Sequence, residues 1–160
     1  VVQVPEAFRG TVYEMGEPLL FKLAAWLTFG SVADGYTVNM HPMAFAAWWG
    51  LLATALNLLP IGQLDGGHIA YAVLGRRSTQ VTLAGIACLI GLVFVSTTWI
   101  VWSVLMIAML FVFGPHHPTV WDEHVPLDRS RLWLALFAVV IFVLCFTPAP
   151  IRLVELFGGA

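Results

Sequence analysis

Apolar residues form long runs along this chain, and polar residues gather in the short breaks between the runs. Four runs without a formal charge cover residues 43–59, 81–95, 99–113 and 132–146. Apolar runs of this length favour helices over strands. The polar break Ser96–Thr98 separates the second run from the third. It therefore predicts the turn of a helical hairpin.

The beginning of the chain has a more mixed pattern. Residues 1–16 predict an irregular or short-strand connector, whereas "EPLLFKLAAWLTFG" (17–30) predicts a short helix. Pro18 suits a first helical turn and Gly30 suits a helix end. A helix of about a dozen residues is too short to span a bilayer, so we expect an interfacial or re-entrant segment. The chain thus divides into a connector (1–42) and a C-terminal core (43–160).

The composition indicates a membrane environment. Of the 160 residues, 60% are hydrophobic and 10% are charged, whereas soluble domains carry about 25% charged residues. We therefore predict an all-α fold, a polytopic membrane bundle of about four membrane helices with the first one broken, plus the short helix. The net charge of −2 argues against nucleic acid as a partner. Cys88 and Cys145 lie in apolar runs and predict buried thiols.

One stretch, "NLLPIGQLDGGHIAYAVLG" (57–75), interrupts the apolar pattern with a proline, glycines and an acid. Pro60 has no N–H to donate, and the glycines permit backbone conformations that other residues resist. We predict an unwound segment from Leu59 to about Gly67, with Asp65 inside it. A carboxylate in a membrane span costs at least ~2.5 kcal/mol on insertion scales, so Asp65 indicates a partner or a function.

Each polar residue near the break also has a structural interpretation. Asp65 could be the N-cap of a helix that starts at Gly66. Asn57 could form an interhelical hydrogen bond, as amides do in membranes. His68 follows Asp65 by three residues, a spacing that on a helix would place both side chains on one face and suit a second metal ligand, but Asp65 is expected to precede the helix.

The pattern Asn57-x-x-Pro60-x-x-x-Leu64-Asp65-Gly66-Gly67 resembles the second signature of the site-2 protease family of intramembrane zinc metalloproteases. That family pairs this signature with an upstream H-E-x-x-H helix. The flanks are similar to those of bacterial members without a PDZ domain. They are "GEPLLF" (16–21), "HPMAFAAWWGLLATALNLLPIGQLDGGHI" (41–69) and "CFTPAP" (145–150). The resemblance therefore extends across most of the chain.

This resemblance implies a role for each motif residue. Asp65 would be the third zinc ligand, and Asn57 would position substrate or stabilise the oxyanion. The turn that presents Asp65 would be shaped by Pro60, Leu64, Gly66 and Gly67. Catalytic zinc takes three protein ligands and a water whose pKa it lowers. The substrates would be single-pass membrane proteins cut within or near their span, and the location would be a bacterial inner (cytoplasmic) membrane.

The chain departs from the family pattern in one respect. None of its five histidines is followed by glutamate with a second histidine four residues on, so H-E-x-x-H is absent. Since the chain begins at Val1 without an initiator methionine, we expect that motif to lie upstream. The 160 residues alone would then be inactive, because they contain at most one of the family's three ligands.

Other interpretations remain open at the level of sequence. Broken helices with a buried acid also build ion sites in transporters, so a small transporter or channel module is one alternative. A catalytically inactive relative that binds membrane clients is another. A second metal site is conceivable in "HHPTVWDEHVP" (116–126), with His116, His117, Asp122, Glu123 and His124. For the loop at 114–131 we favour a solvated connection between helices.

Overall fold

Helices make up most of the computed structural model, which describes residues 2–3, 10–31, 36–37, 40–114 and 127–156. The helices are α1 (Leu19–Phe29), α2 (Pro42–Asn57), α3 (Asp65–Leu74), α4 (Ser78–Val93), α5 (Trp99–Phe113) and α6 (Arg129–Cys145). A 3₁₀ turn, Gly75–Arg77, connects α3 to α4. The strands are β1 (Val2–Gln3), β2 (Gly10–Met15), β3 (Tyr36–Thr37) and β4 (Ile151–Leu156).

The predicted hairpin is confirmed as α4 and α5, with the chain turning over residues 94–98. Leu89 of α4 is almost fully buried, and its carbonyl oxygen accepts a hydrogen bond of 3.3 Å from the Ser103 hydroxyl of α5. Trp99, the first residue of α5, is equally buried. Packing and one side-chain hydrogen bond therefore join the two arms.

The core lies where α2 packs with this hairpin and with the segment that follows α2. On α2 it contains Trp48, Leu52 and Leu56, which recur every four residues and so share one helical face. The other members are Leu59 and Ile61 after α2, and Ile86, Leu89, Trp99 and Met106 on the hairpin. The segment that carries the motif is therefore part of the core rather than an appended loop.

Two strands from opposite ends of the sequence form an antiparallel pair. The register pairs Met15 of β2 with Ile151 of β4, and the Gly16 N–H donates to the Pro150 carbonyl at 2.8 Å. The Trp48 indole donates to the Gly16 carbonyl at 2.6 Å, which attaches the pair to α2. The fold is mostly helical, consistent with the predicted all-α class, and β2 lies within the predicted short-strand connector (1–16).

The turn before α5 is fastened to the chain after α6. The Trp99 indole N–H donates to the Pro148 carbonyl at 2.8 Å, and its ring stacks on Phe146 with 5.7 Å between centroids. The hydroxyls of Ser96 and Thr98 both donate to the Ile151 carbonyl at 3.1 Å. Two side chains of the turn and the first side chain of α5 thus hold the segment from Pro148 to Ile151.

Replacing Trp99 with phenylalanine tests this fastening. The substitution keeps an aromatic ring but removes the indole donor, so we expect the free energy of unfolding to fall by about 1 kcal/mol. Chemical unfolding in detergent, followed by fluorescence, measures the change. Trp102→Phe is the matched control, since Trp102 is half-buried on the same helix with no hydrogen bond from its indole to the described chain. Equal losses in the two variants would contradict the role of the Trp99 hydrogen bond.

The last helix begins earlier than the apolar run at 132–146 predicts. α6 starts at Arg129 because the Asp128 carboxylate caps it, accepting a hydrogen bond of 2.9 Å from the Arg131 backbone N–H. That hydrogen bond, together with one from the Ser130 hydroxyl, lowers the pKa of Asp128 below its ordinary value. The residues of the predicted polar loop between 115 and 126 lie outside the described ranges.

The helical surface is strongly apolar. Seven large apolar side chains on α5 and α6 are 61–84% exposed: Val101, Val104, Phe111, Val112, Trp133, Leu134 and Phe137. Within the described ranges, none of the helices combines the length and apolarity needed to cross a membrane. Cys145 is buried as predicted, but the prediction for Cys88 was wrong, because its side chain is exposed on α4. An apolar run alone does not distinguish a core face from an outward apolar face.

Candidate metal-ligand site at the break between α2 and α3

The backbone is non-helical between Asn57 and Asp65, as the proline and glycines predicted. α2 ends with the Leu58 N–H donating to the Thr54 carbonyl at 3.0 Å. The break itself is held by short-range hydrogen bonds, from the Ile61 N–H to the Leu59 carbonyl (2.7 Å) and from the Leu64 N–H to the Ile61 carbonyl (3.1 Å). Gly62 has a φ of +53°, in the left-handed region that favours glycine.

The break is packed against the α4–α5 hairpin. Ile61 is 2% exposed, and a Cβ at Gly85 of α4 would lie only 3.1 Å from its Cγ1. The Gly62 N–H approaches the Thr82 hydroxyl of α4 at 3.4 Å. Irregular backbone among apolar helices persists only where protein or a wet cavity covers it. Here the covering comes from protein, which the sequence prediction did not identify.

Gly66 and Gly67 allow the start of α3 to lie directly on the break. A Cβ on Gly66 would overlap the Leu58 carbonyl, and a Cβ on Gly67 would overlap the Gly62 carbonyl. Both glycines are buried and helical, so the expectation that unwinding continues to about Gly67 was wrong. What these positions require is the absence of a side chain, because the neighbours are backbone atoms.

Asp65 is the first residue of α3, immediately after the break. Leu64 is the N-cap, in an extended conformation, so the structure does not support Asp65 as the N-cap. The Asp65 side chain is exposed, and its carboxylate forms no hydrogen bond or ion pair with another described residue. An acid in a first helical turn is stabilised by the helix dipole. The carboxylate is therefore presented at a helix start without a partner among the described residues.

The other motif residues surround the same break. Asn57 is the last residue of α2 and is exposed, and its amide forms no hydrogen bond within the described chain. Pro60 and Leu64 are half-buried. His68 is exposed on α3, and its Nδ1 lies 2.9 Å from the Leu64 carbonyl oxygen. Asn57 and Asp65 thus occupy the two ends of the break.

The donor set can be compared with the needs of zinc. Catalytic zinc takes about three protein ligands, and no group of three His, Cys, Asp or Glu side chains is gathered in the described ranges. Asp65 fits the chemistry of one zinc ligand, since its carboxylate is exposed and not engaged by another described residue. The alternative cluster at 116–126 lies outside those ranges.

The profile of peptidase family M50, the site-2 protease family, matches residues 15–98, more than half of the chain. The chain belongs to this family. The matched range includes the whole break and all residues of the predicted signature, Asn57 through Gly67. The family assignment made from the motif is thereby confirmed.

Curated relatives support the same family. The chain is 32% identical over 129 residues to the probable zinc metalloprotease EGY2, chloroplastic, of Arabidopsis thaliana, covering 80% of this chain and 23% of the relative. It is 31% identical over 116 residues to the probable zinc metallopeptidase EGY3, chloroplastic, of the same plant, covering 72% and 20%. The chain therefore spans about a quarter or less of these relatives. No solved structure matches it.

Proposed function

We propose that this chain is the C-terminal part of an intramembrane zinc metalloprotease that hydrolyses peptide bonds within or near the transmembrane segment of membrane proteins. One observation carries the proposal: the break between α2 and α3 presents the exposed Asp65 carboxylate at a helix start that is seated on the break by two glycines. Family membership and relatives named zinc metalloproteases support it. Membership of a peptidase family favours this function over a transporter or channel.

In this proposal the chain contributes one ligand and one substrate-binding group. Asp65 would hold zinc together with two histidines of an H-E-x-x-H segment, which these 160 residues do not contain. Zinc, when bound, supplies a water of lowered pKa and polarises the scissile carbonyl. Asn57, exposed at the other end of the break, would donate an amide hydrogen bond to that carbonyl. The packed break between them would keep the two groups at a fixed separation.

We also propose that the protein is integral to a membrane. The support is its composition, 60% hydrophobic, and the large exposed apolar side chains on α5 and α6. Such extensive exposed apolar surface is rare in soluble monomers. A bacterial inner membrane and single-pass membrane proteins as substrates are part of the proposal, whereas the two plant relatives are named as chloroplast proteins.

Metal removal tests the proposed function directly. A protein that contains this chain together with an H-E-x-x-H segment is reconstituted with a single-pass substrate in phospholipid vesicles. We expect a zinc chelator to abolish cleavage, stoichiometric zinc to restore it, and mass spectrometry to locate the cut within or near the span. Cleavage that continues at the original rate without metal, or a cut only in a distant soluble domain, would contradict the proposal.

A further inference from the structure

We propose that His68 is a positioning residue for Asp65, an inference that rests on the proposed function. Its Nδ1–H and its own backbone N–H hold one acceptor, the Leu64 carbonyl, at 2.9 and 3.0 Å. That carbonyl belongs to the peptide bond that joins Leu64 to Asp65. The side chain thus fixes the peptide plane from which the ligand residue projects.

The direction of the side-chain hydrogen bond follows from its acceptor. A carbonyl oxygen has no hydrogen to give, so Nδ1 of His68 carries the proton and donates. The same contact determines the tautomer of the ring. The Leu64 oxygen is also the first helical acceptor of α3, because the His68 backbone N–H closes the first turn on it. Two donors from one residue therefore converge on the peptide that precedes Asp65.

The position of Asp65 explains why this peptide needs a clamp. Leu64 has extended dihedrals (φ −68°, ψ 161°), and helical geometry begins only with Asp65. No side-chain N-cap holds this helix start, since a leucine occupies the capping position. Gly66 and Gly67, the next two residues, carry no side chain to restrain the turn. A capping side chain would accept from a backbone N–H of the first turn, whereas in the described chain the His68 side chain restrains this helix start by donating to the Leu64 carbonyl.

A ligand role for His68 makes a different prediction. A histidine that binds metal here would use Nε2, since Nδ1 donates to Leu64. Asparagine places an amide N–H near the position of Nδ1, whereas glutamine reaches toward the position of Nε2. Asparagine at position 68 should therefore replace the Nδ1–H that donates to Leu64, whereas glutamine should replace an Nε2 that binds the metal.

The test compares His68→Phe, His68→Asn and His68→Gln in the protein that carries an H-E-x-x-H segment. Zinc affinity is measured by competition with a chromophoric chelator, and the cobalt-substituted protein reports ligand geometry through its visible spectrum. We expect His68→Phe to weaken zinc binding roughly tenfold and to shift the cobalt spectrum, as losses of outer-shell partners do. We expect His68→Asn to restore both measurements, and His68→Gln to resemble His68→Phe.

Any result in which His68→Asn binds zinc no better than His68→Phe overturns the inference, and so does wild-type affinity in all three variants. If His68→Phe does not fold, the comparison of zinc affinity between His68→Asn and His68→Gln still tests the inference. Asp65→Asn in the same zinc assay distinguishes a failure of the proposed function from a failure of the role proposed for His68. Undiminished zinc binding in that variant rejects the proposed function, whereas lost binding together with unaffected His68 variants rejects only the role of His68.

Discussion

Asp65→Asn is expected to remove zinc from the site and to stop cleavage. The amide is nearly isosteric with the carboxylate but neutral, so it is a poor replacement for a charged oxygen ligand. The loss of zinc affinity should exceed the roughly 10- to 100-fold cost of losing an outer-shell partner. The fold should be retained, because Asp65 is exposed and its side chain engages no other described residue. Bound zinc and cleavage of a membrane substrate are measured on the same preparation.

Asp128→Asn is the matched control for this experiment. It makes the same chemical change at another exposed aspartate, at the start of α6, where asparagine caps a helix as well as aspartate does. We expect wild-type zinc content and wild-type cleavage in this variant. Full zinc content and full cleavage in Asp65→Asn would exclude the ligand role, and equal losses in both variants would point to a general effect of removing a surface charge.

Gly66→Ala is expected to destabilise the protein although alanine is the better helix former. Helix propensity alone favours alanine by about 1 kcal/mol. Against this, the new Cβ would overlap the Leu58 carbonyl and lie 2.5 Å from the Leu59 carbonyl oxygen. These are backbone atoms of the break and cannot rotate away as a side chain could. Overpacking of this kind costs about 1–3 kcal/mol, so we expect a net loss of unfolding free energy together with weaker zinc binding.

Gly50→Ala provides the control, because a Cβ at this α2 position would meet nothing within 4 Å. At this position only the higher helix propensity of alanine acts, so the unfolding free energy should rise by up to about 1 kcal/mol. Both substitutions replace glycine with alanine. A loss of unfolding free energy in Gly66→Ala and a gain in Gly50→Ala would therefore show that the close contact between α3 and the break causes the difference. A stabilised Gly66→Ala protein with unchanged zinc affinity would show that α3 does not need this close approach.

The sequence was sufficient to predict the helices and the position of the break. Apolar runs and Pro60 mark α2, the α4–α5 hairpin and the irregular segment, because each of these features is local. The exact start of α3 was not predictable in the same way. Glycine in a sequence indicates backbone freedom, but the helical conformation of Gly66 and Gly67 and their close contact with the break depend on where Leu58 and Gly62 lie.

Contacts between distant segments explain the remaining differences. Thr82 and Gly85 lie in an apolar run, and only the fold brings them against Gly62 and Ile61. A small or hydroxyl residue at these positions is a weak signal on its own, since it also fits ordinary helix packing. The start of α6 differs from the prediction for a local reason, because the apolar run begins at Leu132 whereas the Asp128 cap starts the helix at Arg129.

The pairing of β2 with β4 has a consequence for biosynthesis. β2 precedes α1 and β4 follows α6, so a ribosome must translate all six described helices before the two strands can meet. Contacts this far apart in sequence form slowly, because a long loop must close first. We therefore expect the helices to associate while β2 is still unpaired. A nascent chain arrested before residue 150 would leave β2 without β4, so this pairing would follow the association of the six helices.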